Sequence, residues 1–97
     1  MPNRILVADD DPNIREVICF ALTKAGFETM AATDGRAALT MAQEKRPDLI
    51  VLDVGMPEMD GLEVCRELRK TSDTPILFLS ARDEEIDRVL GLEMGGD

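Results

Sequence analysis

Acidic residues follow two separate apolar runs of the chain, and their positions could support metal and phosphoryl chemistry. Asp9, Asp10 and Asp11 end the first run, and Asp53 ends a later one. If the two runs are neighbouring strands, Asp9, Asp10 and Asp53 converge, and their charges repel strongly unless a cation or protons intervene. A hard divalent cation such as Mg²⁺ is the simplest resolution, because it takes oxygen ligands and keeps waters that a phosphate can replace.

Within such a site, Asp53 is the candidate nucleophile. A carboxylate can form an aspartyl-phosphate. Histidine is absent from the sequence, so positioning and metal electrostatics must supply most of the rate. Ser80 follows another apolar run, and its hydroxyl could hydrogen-bond the new phosphoryl oxygens.

Each of these residues also has a simpler explanation. Asp11 stands before Pro12 and is expected to be only a helix N-cap, with proline at the first helical position. A single Asp after a strand is more often a turn residue or a cap, and Ser80 could merely begin a loop. Caps do not require a carboxylate pair on one strand and a further carboxylate on its neighbour, however, so the convergence favours a site.

The elements that must position these residues alternate along the chain. Strands are predicted at residues 5–8, 28–32, 49–52 and 76–79, and helices at about 12–25, 35–45, 61–70 and from Asp83 onward. This alternation predicts a parallel sheet with right-handed crossovers and helices on both faces. The second strand is mixed in polarity and fits an edge. In such sheets ligands bind at the carboxyl ends of the strands, where the strand order reverses.

Helix-spaced apolar residues predict which side of each helix packs on the sheet. In the third helix they are Leu62, Cys65 and Leu68. In the first helix they are Ile14, Val17, Ile18, Ala21, Leu22 and Ala25. The two cysteines, Cys19 and Cys65, lie within these helical patterns, which indicates two buried thiols rather than a disulfide or a metal site.

Composition limits the function classes. The chain has 97 residues, enough for one domain, with 44% hydrophobic residues, 32% charged residues and a net charge of −9. No basic stripe for binding duplex nucleic acid is visible. No apolar run approaches the roughly 20 residues that a membrane span needs, and no secretory signal is evident. We therefore expect a cytoplasmic location, no membrane partner, and contact with DNA only through another domain.

Three separated motifs resemble the receiver domains of bacterial response regulators. They are ILVADDDP at residues 5–12, PDLIVLDVGMPEMDG at 47–61 and TPILFLSA at 74–81, and the match spans the chain in register. The resemblance implies a flavodoxin-like, doubly wound α/β fold with strand order 2-1-3-4.

The resemblance also implies a role for each site residue. Asp53 matches the phosphoacceptor, and Ser80 matches the switch hydroxyl that closes on the phosphate. Asp10 and Asp53 match the direct ligands of Mg²⁺, and the resemblance implies that Mn²⁺ can substitute for it. The backbone carbonyl of Gly55 matches the third protein ligand, and Asp9 matches an acidic residue that acts through water.

The implied function is two-component signal transduction. A sensor histidine kinase would donate the phosphoryl group, the receiver would catalyse its own transfer and slow hydrolysis without being an enzyme in the usual sense, and the conformational switch would control an output. Residues 81–97 resemble the OmpR/PhoB group, which implies transcription regulation through a DNA-binding effector domain outside this chain. They also imply a receiver homodimer through the fourth-helix face, with a charged rim drawn from Asp87, Arg88, Glu93 and Asp97.

The sequence departs from the family pattern at two places. Gly55 stands where many members carry a side chain, which is expected to leave one flank of the phosphate open, whereas Arg82 is expected to cover part of the other flank. We expect the phosphoryl lifetime to respond to changes at both. The fifth strand, with its lysine and aromatic switch residue, and the fifth helix are not found, so residues 1–97 are expected to be an incomplete receiver without an effector domain. An open edge of the fourth strand would favour pairing with another chain.

Other functions remain open at this point. A stand-alone or degenerate receiver could act as a phosphorelay or docking module. An aspartyl phosphatase typically carries a second Asp two residues after the nucleophile, where this chain has Gly55. A nucleotide- or flavin-binding module would need a glycine-rich phosphate loop after the first strand, where Asp9, Asp10 and Asp11 would instead repel a phosphate.

Overall fold

A computed structural model describes residues 3–79. Its elements, in order, are β1 (Arg4–Ala8), α1 (Pro12–Lys24), β2 (Glu28–Ala32), α2 (Gly35–Lys45), β3 (Leu49–Asp53), α3 (Gly61–Leu68) and β4 (Ile76–Leu79). The four strands form one parallel sheet in the order β2-β1-β3-β4. The predicted α/β class and strand order are confirmed, with β2 at an edge. The predicted fourth helix, from Asp83, lies outside the described residues.

Alternate residues of β1 pack on opposite faces of the sheet. Leu6 and Ala8 belong to the larger core, which α2 and α3 cover, whereas Ile5 and Val7 belong to a smaller core beneath α1. All of these side chains are at most 3% exposed. The central strand is therefore covered on both faces, as its continuously apolar sequence predicted.

Local signals define the two ends of α1. The side chain of Asp11 accepts a hydrogen bond from the Asn13 N–H at 2.9 Å, and Pro12 opens the helix. The chain leaves the helix through Gly26, whose φ is 101°. The N–H groups of Gly26 and Phe27 donate back to carbonyls of the last turn, which is the pattern of a Schellman motif. The predicted cap and stop are confirmed.

The predicted burial of the α1 apolar stripe is wrong for much of the helix. No residue of α1 is fully buried, and Val17 is 67% exposed and Ile14 37% exposed. Ile18 and Leu22 do pack against the smaller core. Within residues 3–79, α1 contacts only β1 and β2 appreciably, so the sheet beneath it covers one side of the stripe and leaves the rest exposed.

The packing face of α3 also differs from the prediction. Leu62 is 53% exposed, whereas Val64 is 1% exposed. Cys65 and Leu68 are buried as predicted, and with Val64 they follow the three- and four-residue spacing of a single helix face. Leu62 stands two residues before Val64 and six before Leu68. On a helix of 3.6 residues per turn these spacings place it away from both, so it lies off that face. The helix ends at Leu68, earlier than the predicted Lys70.

Candidate functional site

The acidic residues meet at the carboxyl edge of the sheet. β1 and β3 are neighbours with Ala8 opposite Leu52, so the next residues, Asp9 and Asp53, lie side by side. Asp9, Asp10 and Asp53 each offer a carboxylate oxygen, and these oxygens all lie within 4.8 Å of one another. The structure thus brings together the carboxylates that the strand ends indicated.

Asp9 is held from three directions. Among the described residues it is the one buried charged residue, at 3% exposure. Its N–H donates to the Ala32 carbonyl of β2 at 3.2 Å, and its Oδ1 accepts from the Asp11 N–H at 2.9 Å. Its backbone carbonyl accepts from Nη1 of Arg15 at 2.7 Å. The turn after β1 is therefore tied to β2 and to α1 as well as to itself.

Burial and mutual repulsion disfavour the charged forms of these carboxyl groups. Burial raises the pKa of Asp53 from 3.8 to about 6, the neighbouring charges of Asp9 and Asp10 add to the rise, and the Gly55 N–H opposes it. Burial also raises the pKa of Asp9, helped by the charge of Asp10 and opposed by its bond from the Asp11 N–H. A bound cation would relieve both the desolvation and the repulsion.

The flank of Asp53 beside Gly55 is open. Gly55 is exposed, and its N–H points to Oδ1 of Asp53 at 3.4 Å. A Cβ at Gly55 would meet no atom within 4 Å. The predicted open flank is therefore present among the described residues, next to the candidate phosphoacceptor.

Two glycines allow helices to approach the loop that follows β3. A Cβ on Gly61, the first residue of α3, would lie 2.4 Å from the carbonyl oxygen of Asp53. A Cβ on Gly35, the first residue of α2, would lie 1.6 Å from the carbonyl oxygen of Met59. Both distances are far below contact distance, so these positions need glycine to keep the loop and the backbone of Asp53 in place.

The same loop contains a tight turn at Glu58. Its φ is 72°, and the Met59 N–H donates to the Pro57 carbonyl at 2.7 Å. A bond between residues two apart closes a γ-turn, and a positive φ in that turn is a strained conformation for a non-glycine residue. Strain of this kind in the loop that follows Asp53 is an observation that residue types alone did not indicate.

The donor set fits a hard divalent cation. The cluster of Asp9, Asp10 and Asp53 presents carboxylate oxygens only, as Mg²⁺ prefers, without the nitrogen or sulfur ligands that favour zinc or copper. The predicted backbone ligand Gly55 lies in the loop directly after Asp53.

The remaining predicted residues lie outside the described part of the chain. They are Ser80, Arg82, Asp87, Arg88, Glu93 and Asp97.

Comparison with protein families gives one match over nearly the whole chain. A family model described as the response regulator receiver domain matches residues 5–97.

Solved structures of related proteins agree with that match. The response regulator TrrA of Thermotoga maritima, in complex with Mg²⁺ and BeF, is 42% identical, with a TM-score of 0.79 over 86% of this chain and 73% of that one. The chemotaxis response regulator CheY4 of Vibrio cholerae is 39% identical, with a TM-score of 0.82 over 88% of this chain and 73% of that one. The receiver domain of the Francisella response regulator 1452 is 38% identical, with a TM-score of 0.82 over 98% of this chain and 79% of that one.

Proposed function

Since the chain belongs to the response regulator receiver family, we propose that it accepts a phosphoryl group on Asp53 from a phosphohistidine of a sensor histidine kinase. The observation that carries the proposal is the meeting of Asp53 with Asp9 and Asp10 within 4.8 Å at the carboxyl edge of the sheet. This edge is where ligands bind in doubly wound folds.

The transfer requires Asp53 in its ionised form. One carboxylate oxygen of Asp53 forms a bond to phosphorus as the bond between phosphorus and the imidazole nitrogen breaks. The electron pair of the broken bond stays on that nitrogen, and the leaving ring ends as a neutral histidine because its other ring nitrogen carries a proton. Mg²⁺, when bound, supplies positive charge that offsets the carboxylates and the phosphoryl oxygens.

The other acidic residues hold that cation. Asp9 is buried and fixed by three hydrogen bonds, whereas Asp10 is exposed and can reach an ion from the solvent side. Magnesium as the cofactor is supported by the relative TrrA, which binds Mg²⁺ together with BeF. Mn²⁺ would substitute, because it also takes carboxylate and water ligands.

The phosphoryl group would act as a signal rather than drive metabolic turnover. A switch requires two conformations with different affinity for a partner, and we propose transcription regulation through a DNA-binding effector domain as the output, with a receiver homodimer as the activated form. This output rests on the OmpR/PhoB resemblance of residues 81–97, outside the described residues. A cytoplasmic phosphorelay or docking role is the second candidate. No helix within residues 3–79 has the length and apolarity to cross a membrane.

Labelling by a small phosphodonor, such as acetyl phosphate, tests the proposal by intact-mass measurement. We expect the parent chain to gain one phosphoryl group in the presence of Mg²⁺ and to lose this gain when the metal is chelated. Asp53→Asn should gain none, because an amide oxygen is not a nucleophile of this kind. The control Asp73→Asn changes an exposed carboxylate in the loop before β4 and should label like the parent. Equal labelling of the parent and Asp53→Asn would refute the proposal.

A further inference from the structure

Arg15 makes a hydrogen bond to the acidic site, although a positive charge at this position is otherwise unfavourable. It lies in the first turn of α1, where a positive charge opposes the helix dipole. Its guanidinium also lies next to the turn that is proposed to hold a cation, so its charge would repel that cation. Despite these two unfavourable effects, Nη1 of Arg15 donates a partly buried hydrogen bond to the backbone carbonyl of Asp9 at 2.7 Å.

That carbonyl belongs to the peptide unit between Asp9 and Asp10, which directly follow β1. The carbonyl of Asp9 and the N–H of Asp10 lie in one rigid plane. A donor that fixes the carbonyl therefore fixes the direction in which the chain continues into Asp10. On one side of this plane, Asp9 is buried and bonded to β2. On the other side, Asp10 is exposed. The hydrogen bond from Arg15 connects the peptide unit of Asp9 and Asp10 to α1.

We propose that Arg15 is a positioning residue for magnesium binding: by anchoring the Asp9–Asp10 peptide, it holds the two carboxylates in the arrangement that the ion requires. The inference rests on the proposed function, since it takes the acidic cluster to be a Mg²⁺ site. It concerns affinity for the ion and is separate from any contact of Arg15 with the phosphoryl donor.

The sign of the effect separates positioning from charge. If Arg15 acted only through its charge, removing it would tighten Mg²⁺ binding, because a repulsive cation would be lost. If it acts through the anchored peptide, removing it weakens binding although the site becomes more negative. Changes of residues that orient metal ligands commonly cost about 10-fold or more in metal affinity.

The experiment measures the Kd of Mg²⁺ by isothermal titration calorimetry on the full chain, without a phosphodonor. Arg15→Met keeps the aliphatic stem and removes the guanidinium, and we expect its Kd to rise about 10-fold. Arg15→Lys keeps a charged donor and should recover part of the affinity. Arg36→Ala removes an exposed arginine of α2 and should match the parent. Thermal melting without Mg²⁺ shows that each variant is folded, and Arg15→Gln replaces Arg15→Met if the latter is not.

The outcomes are distinct. A Kd for folded Arg15→Met equal to or below that of the parent overturns the positioning role, even where melting shows a loss of stability. A parent chain that binds no Mg²⁺ overturns the proposed function instead. A weakened Kd in Arg15→Met, with Arg36→Ala unchanged and Arg15→Lys intermediate, supports the role.

Discussion

The carboxyl group of Asp53 binds its proton more tightly in the folded chain than in the unfolded one. Its pKa rises from 3.8 to about 6 through burial and the charges of Asp9 and Asp10. Between these two values the native state carries more protons than the unfolded state, so the free energy of unfolding falls as the pH rises. Above about pH 6, Asp53 is ionised in the native state too, and the loss in unfolding free energy has reached its full size unless a cation binds.

Asp53→Asn should therefore stabilise the metal-free protein at neutral pH. We expect a gain in the free energy of unfolding of about 1 kcal/mol near pH 7, after allowance for solvent screening at a partly exposed carboxyl group. The gain should nearly vanish at about pH 4, where the parent escapes the penalty. Urea unfolding at both pH values measures it. A variant no more stable than the parent near pH 7 would contradict the electrostatic account, and added Mg²⁺ should stabilise only the parent.

The open flank at Gly55 should shorten the life of the phosphoryl group. Gly55→Met places a side chain where no atom lies within 4 Å, and we expect it to slow hydrolysis several-fold by excluding water. Loss of phosphoryl mass with time after removal of the donor measures the rate. Leu62→Met, at an exposed position of α3, is the control. An unchanged rate in Gly55→Met would count against the role of this flank. The matching prediction for Arg82→Ala lies outside the described residues.

Among the residues of the site, the sequence indicated the acidic cluster but not Arg15, which bonds to the carbonyl of Asp9. Asp9, Asp10 and Asp53 could be found because side chains at the ends of parallel strands share one edge of the sheet. Arg15 could not, because its partner is a backbone carbonyl, which every residue carries. The raised pKa of Asp53 also required the burial of the site, which residue types do not report.

Among the elements, the N-termini of α2 and α3 pack closely against the backbone of β3's last residue and of the loop that follows it. Gly35→Ala tests this. Alanine in a helix is ordinarily more stable than glycine by about 1 kcal/mol, yet here the added Cβ would lie 1.6 Å from the Met59 carbonyl oxygen. We expect a loss of about 1–3 kcal/mol, as for overpacked sites, measured by urea unfolding. Gly55→Ala, which meets no atom within 4 Å, should change stability little. A stabilised Gly35→Ala would show that the loop yields easily.

Element boundaries were predicted better than packing faces. The bounds of β2 and β4 match the predicted residues, and the cap at Asp11 and the stop at Gly26 are present, because these signals are local. The packing of Val17 and Leu62 was predicted wrongly, since an apolar stripe at helix spacing does not say how much surface lies opposite it. The turn at Glu58 was not foreseen, because glutamate rarely adopts a positive φ.

For the whole molecule, apolar residues divide into those that support the fold and those that do not. Phe78 of β4 is 7% exposed, whereas Phe20 of α1 is 66% exposed. We expect Phe78→Ala to cost about 3–5 kcal/mol of unfolding free energy and Phe20→Ala to stay within about 0.5 kcal/mol. Chemical unfolding of both variants measures the difference. A large loss in Phe20→Ala would mean that α1 packs against more of the protein than residues 3–79 provide.

The family and the sheet order were available from the sequence because three motifs lie in register along it. The family match over residues 5–97 and the order β2-β1-β3-β4 confirm both. The OmpR/PhoB subgroup and the dimer face depend on residues 81–97, so they stay predictions.

The strand order also affects the kinetics of folding and unfolding. β1 lies between β2 and β3, and it pairs with β3 across a long stretch of chain, Ile5 opposite Leu49. Closing so long a loop is slow relative to forming local turns, and the carboxylates of Asp9 and Asp53 meet only after it closes. An ion that binds all of them would find no complete site in the unfolded chain. If Mg²⁺ binds there as proposed, it should therefore act mainly by slowing unfolding, which lengthens the life of the native state without speeding its formation.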